Sequence, residues 1–134
     1  MIQNSITFVL LRLAVGMSMF GHGLVRVPKL AVFSNWMVEK FDKSFLPNAL
    51  VVPFSYVLPV LELAIGVLLL IGLFTRQALI TGAIAMILLI FGSSMVEDWG
   101  AIPSQLIHTF LFAVLLSYTN YNSYAADNLL KKQD

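Results

Sequence analysis

No cysteine occurs anywhere in the 134-residue chain. That excludes disulfides, thiol–disulfide exchange and thiolate-ligated metal clusters within the chain itself. Charge is almost as scarce: eight Lys and Arg against seven Asp and Glu, or 11% of residues, with a formal net charge of +1. A globular domain carries about 25% charged residues. No run of basic residues is present, so the chain has no electrostatic footprint for nucleic acid. Hydrophobic residues make up 59%. A chain this short has too little interior to hide so much apolar surface, and lipid must serve as its solvent. The first residues carry no Lys or Arg, the first apolar run contains Arg12, and no small-residue cleavage site follows it. The N-terminus therefore reads as a retained span rather than a signal peptide.

A bilayer-crossing helix needs about 20 predominantly apolar residues. Four stretches qualify, at about 6–27, 51–74, 77–95 and 102–121. The fold class expected is all-α: an integral membrane four-helix bundle forming one domain over residues 1–134. Both termini and the Thr75–Arg76 turn then share one side, and the long first loop and the 95–103 loop share the other. Arginine and lysine divide almost evenly between the sides, so the positive-inside rule does not orient the chain.

The first loop has structure of its own. Leu30, Phe33, Met37, Phe41 and Phe45 recur at helical spacing, while Ser34, Asn35, Glu39, Lys40, Asp42 and Lys43 take the other face, with Glu39 and Lys43 spaced as an i,i+4 pair. This predicts a short amphipathic helix over about 29–45, lying on the membrane or packed as a lid over the bundle mouth. Beyond Tyr118, the tyrosines at 118, 121 and 124 suit the interface, and residues 127–134 read as a polar, frayed tail.

Within the spans, Arg12 and Glu62 are the costly residues, since a charge at membrane depth persists where it is paired or functional. Counted from the terminal ends of the two antiparallel spans, Arg12 lies about 10 Å deep and Glu62 about 18 Å. Two long side chains can bridge that gap, so an Arg12–Glu62 pair is expected. The alternative is an Arg12 that snorkels to its interface beside a protonated Glu62. The only two histidines, His22 and His108, fall at matched depth near the loop side. Arg12, Gly16, Met19, Gly23 and Arg26 share one stripe of the first helix, with His22 at its edge. Ser55, Pro59, Glu62 and Gly66 share a stripe of the second, and Gln105, His108, Thr109 and Phe112 one of the fourth. Pro59 removes a backbone bond one turn before Glu62. The glycines at 16, 23, 66, 82 and 92 allow helices to approach closely.

If these stripes face one another, they enclose a polar cavity open toward the loop side. Glu62, Arg12 and His22 are then the candidate catalytic residues, and His22, His108 and Gln105 the candidate cofactor-binding residues. Two imidazoles with a carboxylate suit a quinone head group. Bis-histidine haem ligation is the weaker reading, because nothing else marks a haem pocket, and no metal site is expected, since three clear ligands are not assured.

Leu11-Arg12-Leu13 with Gly16 and Phe20-Gly21-His22-Gly23, together with Pro59-Val60-Leu61-Glu62-Leu63, Gly66 and Leu70 to Arg76, resemble the first two helices of the DoxX family. The resemblance implies a four-helix membrane bundle of the bacterial inner membrane associated with redox systems. Relatives include the DoxD-type subunit of thiosulfate:quinone oxidoreductase and proteins linked to thiol and oxidative-stress partners. Carried over by position, Arg12, His22 and Glu62 are the family-like polar residues. Some relatives place Lys after the His-Gly pair, where this chain has Arg26 and Lys29 as its next basic residues. Without cysteine, any thiol chemistry would belong to a partner. The expected function is a membrane component of a quinone-linked redox system, with the bilayer, a redox partner protein, a quinone and a second copy of the chain as partners. The alternatives are a non-catalytic scaffold or assembly factor and, last, a small-solute carrier, for which four short helices leave little room.

Overall fold

The computed structural model describes residues 2–131, and the regular elements among them are all helices. In chain order they form α1 (Ile2–Arg26), a 3-10 turn (Val27–Lys29), α2 (Leu30–Phe41), α3 (Asn48–Ile71), α4 (Thr75–Met95), α5 (Ile102–Ser117), a 3-10 turn (Thr119–Tyr121) and α6 (Asp127–Lys131). Three stretches are long and apolar enough to cross a membrane: Ile2–Phe41, in which α1 runs through the 3-10 turn into α2, then Asn48–Ile71 and Thr75–Met95. Helix α5 is shorter and equally apolar. It stops at Ser117, before the expected end of the fourth span at 121, and the second 3-10 turn carries the chain onward. The protein is thus an all-helical, multi-pass membrane bundle.

The closest partnerships are α1 with α3 and α4 with α5. Phe8, Val15, Met19, Ile65, Leu69, Leu79, Met86, Phe112 and Leu115 form the shared core. Lipid tails are as apolar as these side chains, so helices adhere here through close packing. Glycine permits it. Gly23 lies on the backbone of Leu63, Gly66 on the backbone of Phe20, and Gly16 against Leu69, with no room for a methyl group at Gly23 or Gly66.

These contacts set the register. Glu62 is level with the last turn of α1, and Arg12 is level with Gly72 near the other end of α3. Aligning the span ends, Ile6 with Phe74, slides α1 by about six residues, roughly 9 Å. That slip is why an Arg12–Glu62 pair was expected and does not form.

Helix α2 packs on α3 rather than lying apart from the bundle. Met37 meets Val51 and Leu58, with Phe33, Phe41 and Phe54 around them. The helix ends at Phe41, short of the expected boundary, so Phe45 faces outward at 97% exposure. Because the helix stops there, Glu39 and Lys43 do not pair; the ion pairs among the described residues are Arg26–Glu62 and Lys40–Asp98. Ser34, expected on the polar outer face, is buried, with its hydroxyl 2.7 Å from that of Ser55. The hydroxyl bond satisfies both groups in an apolar contact, which a purely amphipathic reading does not foresee.

The terminal end is tied together by the tail. Gly72 closes α3 in the left-handed conformation at φ 72°, where a side chain would be strained and would meet Arg12 Nη1. The Asp127 carboxylate then accepts the backbone N–H groups of Phe74 (2.6 Å) and Thr75 (3.0 Å), capping α4 from 52 residues away. Arg12 donates to Asn122 Oδ1 (2.6 Å) and to the Tyr124 carbonyl (2.9 Å). Residues 127–131, expected to fray, form a short helix held by these bonds; the rest of that expected tail, 132–134, lies outside the described residues.

Gly66→Leu or Gly23→Leu should drive α1 off α3 and abolish folded, monodisperse protein in detergent. Gly21→Leu, at a glycine with open space beside it, should leave the elution profile unchanged.

Candidate functional site

Glu62 is 3% exposed and sits on the face of α3 turned toward α1. Its partner is Arg26, whose Nη1 lies 3.1 Å from Oε1 and 3.0 Å from Oε2. An ionised carboxylate in an apolar interior is stable only with such a partner, since its desolvation is otherwise uncompensated. The guanidinium also stands over the Phe33 ring of α2, 4.7 Å from its centroid. The ring offers its negative face to the cation and shields the pair from one side.

The two histidines come together beside this pair. Their ring centroids are 6.4 Å apart, edge to face. Each Nδ1 bonds a backbone carbonyl one turn earlier on its own helix: His22 to Ser18 at 2.7 Å, and His108 to Ser104 at 2.8 Å. A carbonyl only accepts, so each Nδ1 carries a proton. In the neutral ring, His108 Nε2 is then an acceptor, and the Ser18 hydroxyl donates to it over 2.8 Å. Ser18 thereby joins α1 to α5 through His108. Gln105, one turn before His108, donates through Nε2 to Ser93 Oγ of α4 at 2.9 Å, while its Oε1 is buried without a partner.

A cavity of about 340 Å³ connects these groups. His22, Arg26, Glu62, Gln105 and His108 supply its polar wall. Phe33, Trp36, Met37 and Phe41 of α2 roof it, and Met19, Leu58 and Met86 lie beneath. The first-loop helix thus covers the cavity. Phe33 and Trp36 stack at 5.7 Å. Lys40 crosses the mouth to bond Asp98 in the α4–α5 loop, with its Nζ 4.8 Å above the Trp36 ring. That bond from Lys40 holds the Asp98 carboxyl below the usual carboxylate range.

The structure thus brings His22, Glu62, Gln105 and His108 to one cavity. It does not bring Arg12, which lies about 15 Å along α1 from His22 and is engaged with Asn122 and Tyr124. The expected Arg12–Glu62 pair is replaced by Arg26–Glu62. Arg26 was on the same stripe of α1 as Arg12, so its helical face was legible while the register was not. Ser18, which bonds His108 from outside the lining, was missed, as were Lys40, Asp98 and the aromatic roof as cavity residues. The i,i+4 spacing of Ser18 and His22 was the one signal available for the first. Among the described residues, no group of three His, Cys, Asp or Glu is placed to hold a metal ion. A bis-imidazole iron site would have to break the Ser18–His108 bond.

Helices α1 and α3, joined by glycine contacts, carry the two stretches whose motifs resemble the DoxX family. The family model DoxX matches residues 7–95. The chain belongs to the DoxX family. The matched stretch contains Arg12, His22, Arg26, Glu62 and the whole of α2. The DoxX match ends before Asp98, Gln105 and His108, so the α5 wall of the cavity lies outside it. No curated protein and no solved structure matches the chain.

Removing one member of the buried pair should be asymmetric. Arg26→Ala strands a buried carboxylate and should cost about 3 kcal/mol. Glu62→Ala should cost less, because the Arg26 side chain keeps 33% exposure, and the double variant should be more stable than Arg26→Ala alone. Reversible unfolding in mixed micelles measures all three.

The lid tie should respond to acid. Asp98 is held low in the folded state, so its contribution is present above the ordinary carboxylate range and is lost as pH falls through the lowered value. With no native cysteine, spin labels at Asn35→Cys and Gly100→Cys report α2 and the α4–α5 loop alone. Their distance distribution should be narrow at neutral pH and broaden in acid. Lys40→Ala should broaden it at every pH.

Proposed function

We propose that this DoxX protein is the membrane component of a redox system in a bacterial inner membrane, and that the cavity beneath α2 receives a quinone head group. The observation that carries the reading is the cavity's composition. An aromatic and methionine-lined space of about 340 Å³ holds a small, convergent set of polar groups inside an otherwise apolar bundle. That is the constitution of a site for a flat, mostly apolar ring with polar substituents. His22, Gln105 and His108 would bind those substituents. The imidazoles are the groups suited to exchanging protons with them. Glu62 and Arg26 would contribute a fixed pair of charges next to the ring, and α2 would exclude water. Redox chemistry would come from the quinone and from a partner protein, since the chain has no thiol of its own.

One observation favours a second reading, a non-catalytic scaffold. The other buried cation, Arg12, fastens the tail to the bundle through both terminal nitrogens, which is a structural role. The two readings separate experimentally. Protein purified from native membranes should carry an extractable quinone, detected by mass spectrometry. His22→Ala should lose at least about 90% of whatever is bound as the reduced, hydroxyl-bearing ring while keeping wild-type yield and elution, a ten-fold loss of affinity corresponding to one good hydrogen bond. Absence of quinone, haem and any redox response in the wild-type preparation would sink the redox reading. Loss of yield and partner recovery together, with no separate ligand defect, is the outcome the scaffold reading requires.

A further inference from the structure

The polar wall of the cavity is not balanced between donors and acceptors. His22 and His108 both hold their ring proton at Nδ1, committed to the Ser18 and Ser104 carbonyls. Each neutral imidazole therefore presents Nε2 as a lone-pair acceptor. That of His108 is filled by the Ser18 hydroxyl. That of His22 receives no hydrogen bond from any described residue. Gln105 adds a second unfilled acceptor: its amide nitrogen is committed to Ser93, and its Oε1 is buried without a partner. Glu62 is an acceptor only, and a single guanidinium nitrogen serves both of its oxygens. Spare N–H groups come from Arg26, from the second amide hydrogen of Gln105, and at the lid from Lys40 and Trp36.

A quinone carbonyl can only accept, so it could take an Arg26 N–H and would leave His22 Nε2 and Gln105 Oε1 unfilled. A phenolic hydroxyl accepts and donates. It could take the same Arg26 N–H and fill an orphaned acceptor as well. Gln105 Oε1 is already buried; His22 is exposed in the open cavity, and a ring seated over Nε2 would strip it of water. An acceptor buried without its bond costs more than a well-made bond gains. Resting on the quinone reading above, we propose that the cavity selects the reduced, hydroxyl-bearing ring, a hydroquinone, over the oxidised ring. His22 is the residue that determines this preference, through an O–H to Nε2 hydrogen bond, and Gln105 Oε1 orients the ring by accepting a second bond. Only binding is assigned here; no electron leaves the ring in this step.

The Ser18–His108 bond supplies an independent lever. Removing the Ser18 hydroxyl would leave His108 Nε2 as a third unfilled acceptor, so Ser18→Ala should sharpen the preference for the reduced ring. A merely structural role for Ser18 gives no such direction.

The test is anaerobic titration calorimetry of the full chain in lipid nanodiscs, with a short-tailed benzoquinone and its hydroquinone as the two probes. Wild-type protein should bind the hydroquinone at least about ten-fold more tightly, the loss expected for one acceptor left unfilled. His22→Ala should bring the two affinities to within about three-fold, chiefly by weakening the hydroquinone. Ser18→Ala should widen the wild-type ratio; an unchanged or narrowed ratio counts against the inference. Equal affinities in the wild type, or tighter binding of the oxidised ring, would overturn the inference and leave the quinone reading standing. So would an unchanged ratio in His22→Ala. If neither probe binds wild-type protein, the quinone reading itself fails and this inference with it. Should His22→Ala not fold, the wild-type ratio and Ser18→Ala still decide the question.

Discussion

Gly23 on the backbone of Leu63 and Gly66 on the backbone of Phe20 hold α1 and α3 at a separation no larger residue would tolerate. They also forbid one helix from sliding along the other. The charge arrangement follows from that register. Glu62 falls within reach of Arg26, whose long side chain turns inward over Phe33, and Arg12 is carried to the opposite end. In lipid, where apolar burial gives helices little reason to prefer one another, such backbone contact decides which polar groups can meet. A register shifted by one turn would leave Glu62 in the bundle interior without a cation, at a cost of several kcal/mol.

The bundle consequently has two unlike ends. At the terminal end the polar groups serve mainly connectivity: Arg12 bonds Asn122 and Tyr124 through its two terminal nitrogens while its Nε is left without a partner, Asp127 caps the start of α4, and Asn122 bonds Thr75 at 3.1 Å. At the loop end the polar groups converge on open space, and two acceptors are left without donors. Of these, Gln105 Oε1 is buried, and buried polar atoms are almost always satisfied, so an occupant of the cavity would have a bond to make there. This contrast ties the functional proposal to the α2 end rather than to any one residue's charge.

Composition and periodicity were enough for the helices and for the faces they present. The charge-poor, cysteine-free chain requires a membrane bundle, and the stripes carrying His22, Glu62, Gln105 and His108 do turn toward one cavity. Relative sliding was not readable, because span ends are blurred by loops that continue as helix. Helix α1 begins at Ile2, several residues before the apolar run suggests, and α5 stops at Ser117. The glycines that fix the slide were visible as permissive positions, but their partners, Leu63 and Phe20, are ordinary apolar residues with no signature. For the same reason Ser34 looked like an outward polar residue. Its burial depends on Ser55, 21 residues away, and no local pattern encodes that. The DoxX-like motifs located α1 and α3 but were silent on Arg26, which does the pairing here.

Asp127 caps α4 from beyond the last membrane helix, and this places a late event in the biogenesis of the protein. When the α3–α4 hairpin leaves the translocon, the amides of Phe74 and Thr75 have only water to bond, and Arg12 has no Asn122 to receive it. The hairpin reaches its final hydrogen-bonded state only after α5 has inserted and residues 122–127 have emerged from the ribosome. Assembly at the terminal end is therefore completed late: a chain without Asp127 has an uncapped start to α4, and one without Asn122 and Tyr124 leaves Arg12 without these partners.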